Sequence, residues 1–160
     1  MDGDWMKEKT VCFTGHRDIS GVKSLVIKHK LKCTIIKLIA EGYCYFVTGG
    51  ALGFDTLAEQ TILELQKNYP QIKLILVLPC ISQANKWSEE DKMVYESIKR
   101  KADSVVYTSQ NYFRGCMHRR NRYLVDSSSV CICYCTKKTG GTAYTIDYAQ
   151  KKRLQIINLA

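Results

Sequence analysis

Acidic side chains are scarce in this chain: 15 aspartates and glutamates stand against 24 lysines and arginines, a formal charge of +9 over 160 residues. This balance disfavours a cationic partner surface and points toward anionic partners, such as nucleic acid or phosphorylated small molecules. No apolar run approaches the roughly 18 residues of a membrane span, so no membrane partner is expected. The start, Met1-Asp2-Gly3-Asp4-Trp5, lacks the basic-then-apolar form of a secretion signal, and the expected location is cytoplasmic. Internal repeats, low-complexity tracts and linkers are missing too. The expected organisation is a tail over residues 1–8 and one domain over residues 9–160.

Eight cysteines are present, but none forms the C-x₂₋₄-C knuckle with distant partners that zinc sites use. Instead they sit in strand-like runs, Cys12 within Val11-Cys12-Phe13 and Cys131, Cys133 and Cys135 within Val130 to Cys135. Reduced cysteine there acts as a small hydrophobe, and no metal is expected.

The most informative stretch is Cys44-Tyr45-Phe46-Val47-Thr48 followed by Gly49-Gly50-Ala51-Leu52-Gly53-Phe54-Asp55-Thr56. The first part reads as a buried strand. The second reads as a glycine turn opening a helix, with apolar positions at Leu57, Ala58, Thr61, Ile62 and Leu65 and a capping box from Thr56 to Glu59. Backbone N–H groups at a helix start lack intrahelical partners and carry partial positive charge, so this arrangement suits an anion.

Elsewhere the same alternation repeats. Lys9–Thr14 reads as a strand, followed by a helix with apolar positions Val22, Leu25, Val26, Cys33, Ile36 and Ala40 and closed by Gly42. Ile72–Leu78 is a strand stopped by Pro79, and a helix then starts at Ser88 with acids in its first turn. Strand Ser104–Thr108, helix Cys116–Asp126, strand Val130–Tyr134, a second glycine turn at Gly140-Gly141-Thr142, helix Ala143–Lys152 and strand Leu154–Asn158 complete the chain. Strand and helix alternating throughout predict an α/β fold, a single Rossmann-like three-layer domain with a mostly parallel central sheet. In such sheets ligands gather beyond the carboxyl ends of the strands. The expected cleft therefore draws on Gly15, His16 and Arg17; on Gly49, Gly50, Ala51, Gly53 and Asp55; on Pro79, Lys86 and Trp87; on Arg120 and Asn121; and on Gly140, Gly141 and Thr142.

Arginines sharpen this list, because four of the seven (Arg114, Arg119, Arg120 and Arg122) fall within nine residues. Their planar fork suits phosphate. Arg119, Arg120 and Arg122 cannot all point the same way on one helix, and Arg120 is the one expected in the cleft. Lys86 with Trp87, and Tyr112 with Phe113, read equally as base-stacking surfaces or as loop anchors.

Together, Thr14-Gly15-His16-Arg17, Thr48 to Asp55, Arg120-Asn121 and Gly140-Gly141-Thr142 resemble the SLOG superfamily, the Rossmann-like group of DNA-processing protein A and the LOG enzymes, and within it the YpsA-like branch. The resemblance implies binding of a nucleotide or nucleotide-derived ligand, with an ADP-ribose or NAD-type compound as the leading expectation and a homo-oligomeric assembly. LOG enzymes carry M-H-x-R-K and P-G-G-x-G-T-x-x-E. Met117-His118-Arg119-Arg120-Asn121 keeps the first, with Arg120 on its arginine, which would be catalytic in a hydrolase. The second is degraded, since Lys137, Lys138 and Thr139 replace Pro-Gly-Gly and Thr145 stands where the glutamate belongs. Thr145 supplies no carboxylate for glycosidic cleavage, and Asp147 sits about 200° further around the helix. The expectation is thus a sensor or sequestering protein; a nucleoside-monophosphate phosphoribohydrolase and a single-stranded nucleic-acid binder are the alternatives.

Overall fold

A computed structural model of the chain describes residues 6–160. Of the expected tail, residues 1–5 lie outside the described residues, and Lys7–Lys9 form a single 3-10 turn. Among the described residues six strands alternate with five α-helices: β1 (Thr10–Gly15), α1 (Val22–Ala40), β2 (Tyr45–Thr48), α2 (Phe54–Leu65), β3 (Lys73–Leu78), α3 (Glu89–Lys101), β4 (Ser104–Tyr107), α4 (Cys116–Asp126), β5 (Val130–Tyr134), α5 (Gly141–Lys151) and β6 (Gln155–Asn158). The sheet runs β4-β3-β2-β1-β5-β6, and every pairing is parallel. β1 lies at the point where strand order reverses, with β2 on one side and β5 on the other.

Both sheet faces are buried, as the unbroken apolar strands require. Because alternate side chains point to opposite faces, Val11 and Phe13 join Ile27, Leu31, Phe54 and Ile98 in the layer built by α1, α2 and α3. Cys12, Cys131 and Cys133 join Val47, Ile75, Leu124 and Ala149 in the layer of α4 and α5. Cys12 pairs directly with Cys131 across the strands. Its hydrogen bond, together with burial, pushes the Cys131 thiol well above its ordinary value, and burial pushes Cys133 up to about 12. These thiols stay protonated and fill space.

Two local expectations are corrected. α1 forms over the expected residues but buries Ile27, Leu31, Ile35, Leu38 and Ile39, leaving Val22 77% and Leu25 70% exposed. The helix is apolar on two sides, and the sheet takes the side that carries five large aliphatic chains. α2 begins at Phe54 rather than after Thr56, with Gly53 at its N-cap. Thr56 and Glu59 therefore form no capping box. The Thr56 hydroxyl donates back to the Ala51 carbonyl (3.1 Å), and Glu59 is buried, accepting from Thr48 Oγ1 at 2.6 Å. The Ser88 cap of α3 forms as read, accepting from the Asp91 N–H at 3.1 Å.

Candidate functional site

Strand order sets the place of the cleft. Where β1 ends beside β5, the segments leaving these strands diverge to opposite sheet faces, opening a crevice of about 620 Å³. Gly15, His16 and Arg17 line it from the end of β1, Ala51 and Asp55 from the start of α2, Arg120 and Asn121 from α4, and Gly140, Gly141 and Thr142 from the start of α5. A larger hollow of about 860 Å³ lies between α2 from Gln60 onward and α3 from Met93 onward, bordered by Lys28 and Glu64. It contains none of the expected site residues, and its rim ion pair is exposed.

Arg120 is the best-anchored side chain of the cleft. It is only 4% exposed. Its Nη1 donates to the Gly49 carbonyl, and Nε donates to Asn121 Oδ1 at 2.7 Å. Among the described residues Nη2 meets only the Met117 sulfur, 3.9 Å away, a weak acceptor that leaves donor capacity for a ligand. Burial lowers the pKa of this guanidinium while the Asp55 charge opposes the change; arginine remains cationic regardless.

Asp55 is the carboxylate that lines the cleft. Burial raises its pKa, against the pull of Arg120, the Ala51 and Gly49 N–H groups and Arg17. Its Oδ2 accepts from the Ala51 N–H at 3.1 Å, which holds the glycine turn against the first turn of α2. Directly behind it, burial and then the Asp55 charge push Glu59 well above the usual carboxylate range. Two like charges cannot both ionise cheaply in a dry site, and Asp55, beside Arg120, adds to the upward push on Glu59.

His16 lines the cleft between the segments after β1 and β5. Its Nε2 accepts from the Thr136 N–H at 2.9 Å, and its ring meets Tyr134 edge-on at 5.8 Å. That bond requires an unprotonated Nε2 and so a proton on Nδ1 in the neutral ring. Burial first and Lys137 second lower its pKa, in agreement with the geometry. His16 thus ties the segment after β1 to the segment after β5.

The two glycine turns differ physically. A Cβ on Gly15 would overlap Phe54, one on Gly49 would overlap Arg120, and one on Gly50 would overlap Leu78. Gly53 has φ +77° and lies against the Arg17 backbone, a position where any Cβ clashes. These four glycines are required by the protein's own packing. At Gly140 and Gly141 an added Cβ would meet nothing within 4 Å, and no side chain caps α5. The open turn is the one with room for a ligand.

Several expected residues do not reach the cleft. Gly49 and Gly50 lie beneath it, and Gly53 backs onto the Arg17 segment. Pro79 is buried at the end of β3, Lys86 is exposed, and Trp87 packs edge-on against Tyr95 at 5.1 Å, anchoring its loop. Thr14, Met117 and His118 line the cleft beside the expected residues. Met117 precedes Arg120 by three positions, a helical spacing that places it on the same side, whereas His118, two positions before Arg120, is not placed there by spacing. The Thr48–Glu59 pair could not be found that way, because Glu59 carries the pattern of a cap.

The family model described as YspA SLOG family matches residues 12–158. The chain is 28% identical to a UPF0398 protein of Brevibacillus brevis over 130 residues, 79% of this chain and 69% of that one. It is 31% identical to the SPbeta prophage-derived protein YoqJ of Bacillus subtilis over 143 residues, 81% of this chain and 84% of YoqJ. Among solved structures it resembles DNA processing protein A of Helicobacter pylori, described for its single-stranded DNA binding mode, with a TM-score of 0.67 at 22% identity. That match covers 96% of this chain and 65% of the solved one; at this identity it speaks for the fold.

Proposed function

The chain belongs to the YspA SLOG family, and on that premise we propose that its cleft holds a phosphate-bearing, nucleotide-derived small molecule of the ADP-ribose or NAD type, bound rather than cleaved. The observation that carries this reading is the convergence in one crevice of the Arg17 side chain, the Nη2 of buried Arg120, which meets only the weakly accepting Met117 sulfur among the described residues, and the uncapped start of α5 with its open glycines. Guanidinium forks and helix N-termini are both matched to phosphate oxygens. Asp55 then suits the ribose hydroxyls, since a carboxylate accepts hydrogen bonds from a diol but repels phosphate.

Binding without cleavage is supported by what α5 offers the cleft. Thr145 is 1% exposed and its hydroxyl donates to the Gly141 carbonyl at 2.9 Å. Asp147 faces solvent and pairs with Lys151 at 3.0 Å. Neither brings a carboxylate to a glycosidic bond.

The test is thermal unfolding against AMP, ADP-ribose, cyclic ADP-ribose, NAD and a short single-stranded oligonucleotide, with wild type and Gly141→Val. A ligand at 100 times its Kd adds about 2.7 kcal/mol. The expected outcome is a shift with an ADP-ribose-type compound in the wild type. Gly141→Val should lose that shift at a nearly unchanged unliganded midpoint, because Gly141 lines the cleft and a Cβ there meets no protein atom within 4 Å. A shift from the oligonucleotide alone would overturn the reading, and free base released from AMP would turn it into a hydrolase.

A further inference from the structure

We propose that the His118 ring is the stacking platform for a nucleobase, so that the cleft selects a base-bearing ligand over a bare sugar phosphate. This rests on the reading above and assigns the part of the ligand that the phosphate and ribose contacts leave unaccounted for.

His118 lines the cleft from α4 yet is exposed, so it lies at the cleft's mouth. Its ring is packed against Tyr144 of α5, centroids 4.2 Å apart at 61°. The Tyr144 hydroxyl in turn accepts from Arg122 Nη1 at 3.1 Å. An exposed ring free to rotate would lose that freedom on binding; this one is braced by a tyrosine that is itself held, so much of the cost is already met in the free protein. A flat, pre-oriented ring beside a cationic crevice is what a base needs to stack upon, and every base has a π-face to offer.

Asn121 adds direction. A guanidinium can only donate, so the atom of Asn121 that meets Arg120 Nε must be the amide oxygen. The NH₂ group is left for the cleft, where it suits an acceptor such as a ring nitrogen or carbonyl of the base. His118 and Asn121 are three positions apart on α4, neighbours on one helical face.

The test is isothermal titration of the whole chain with AMP and with ribose 5-phosphate, which share phosphate and ribose and differ by the base. In the wild type, AMP is expected to bind at least about tenfold more tightly. In His118→Ala that ratio should fall towards one through loss of AMP affinity, with ribose 5-phosphate unchanged; His118→Phe, still flat and aromatic, should retain it. An unchanged AMP preference in His118→Ala would overturn the platform while leaving the cleft assignment standing. Loss of the preference in His118→Phe as well would overturn stacking in favour of an imidazole hydrogen bond. If neither compound binds the wild type while an oligonucleotide does, the cleft assignment falls, and this inference with it.

Discussion

An imidazole nitrogen that accepts a backbone N–H cannot carry a proton, and this constrains His16 more than its place in the cleft does. The bond from Thr136 exists only in the neutral ring, and burial with Lys137 lowers the folded-state pKa below its ordinary 6.5. A depressed pKa means the unfolded chain binds the proton more readily. The contribution to stability is therefore full above pH 6.5 and is lost as pH falls through the folded-state value. His16→Gln keeps an acceptor for Thr136 and does not titrate. The stability advantage of wild type over this variant, measured by urea unfolding from pH 8 to pH 5, should shrink below pH 6.5; parallel profiles would remove His16 from this role. At the same scale, Arg120 was expected in the cleft because Arg119, Arg120 and Arg122 cannot all point the same way on one helix and Arg120 falls on the arginine of the resembled motif. Its partner Gly49 lies 71 positions away in sequence, and no local pattern announces that bond.

Elements form where periodicity places them, but periodicity does not always choose their faces. α1 shows this directly, for a helix with aliphatic residues on two sides satisfies the 3.6-residue repeat in either orientation. Ile35, fully buried, should cost about 2–5 kcal/mol as Ile35→Ala. Leu25→Ala, at a position 70% exposed, should stay within about 0.5 kcal/mol. Chemical unfolding of the two variants checks the orientation, and equal losses would contradict it. α2 teaches a related lesson. Its start was legible to within three residues, but Gly53 takes the N-cap where the turn packs on the Arg17 backbone, and Glu59 is buried against Thr48 instead of capping. Residues with capping chemistry were present, and a tertiary contact chose differently.

For the whole molecule, the charge of +9 and the small crevice predict different salt dependences. Oligonucleotide binding by a basic surface releases counterions, so its affinity should fall log-linearly and steeply with salt. A mononucleotide held by Arg120, itself buried, and by backbone N–H groups should respond far less, because buried interactions are weakly screened. Titrations of AMP and of the oligonucleotide from 50 to 300 mM salt separate the two; an equally steep fall for AMP would assign its binding to the basic surface. Alternation of apolar strands with amphipathic helices by itself determined the α/β class, the parallel sheet and the end of the molecule at which a ligand would meet the strands, because those follow from local period and chain direction. Which strands became neighbours was decided only in three dimensions. With β1 between β2 and β5, the crevice opened onto the Gly15, Asp55, Arg120 and Gly140 segments and left Pro79, Lys86 and Trp87 outside it. The glycines most prominent in the sequence proved to be demanded by Phe54, Leu78, Arg120 and the Arg17 backbone. A missing Cβ looks the same in a sequence whether a ligand or the protein itself fills the space, and only packing tells them apart.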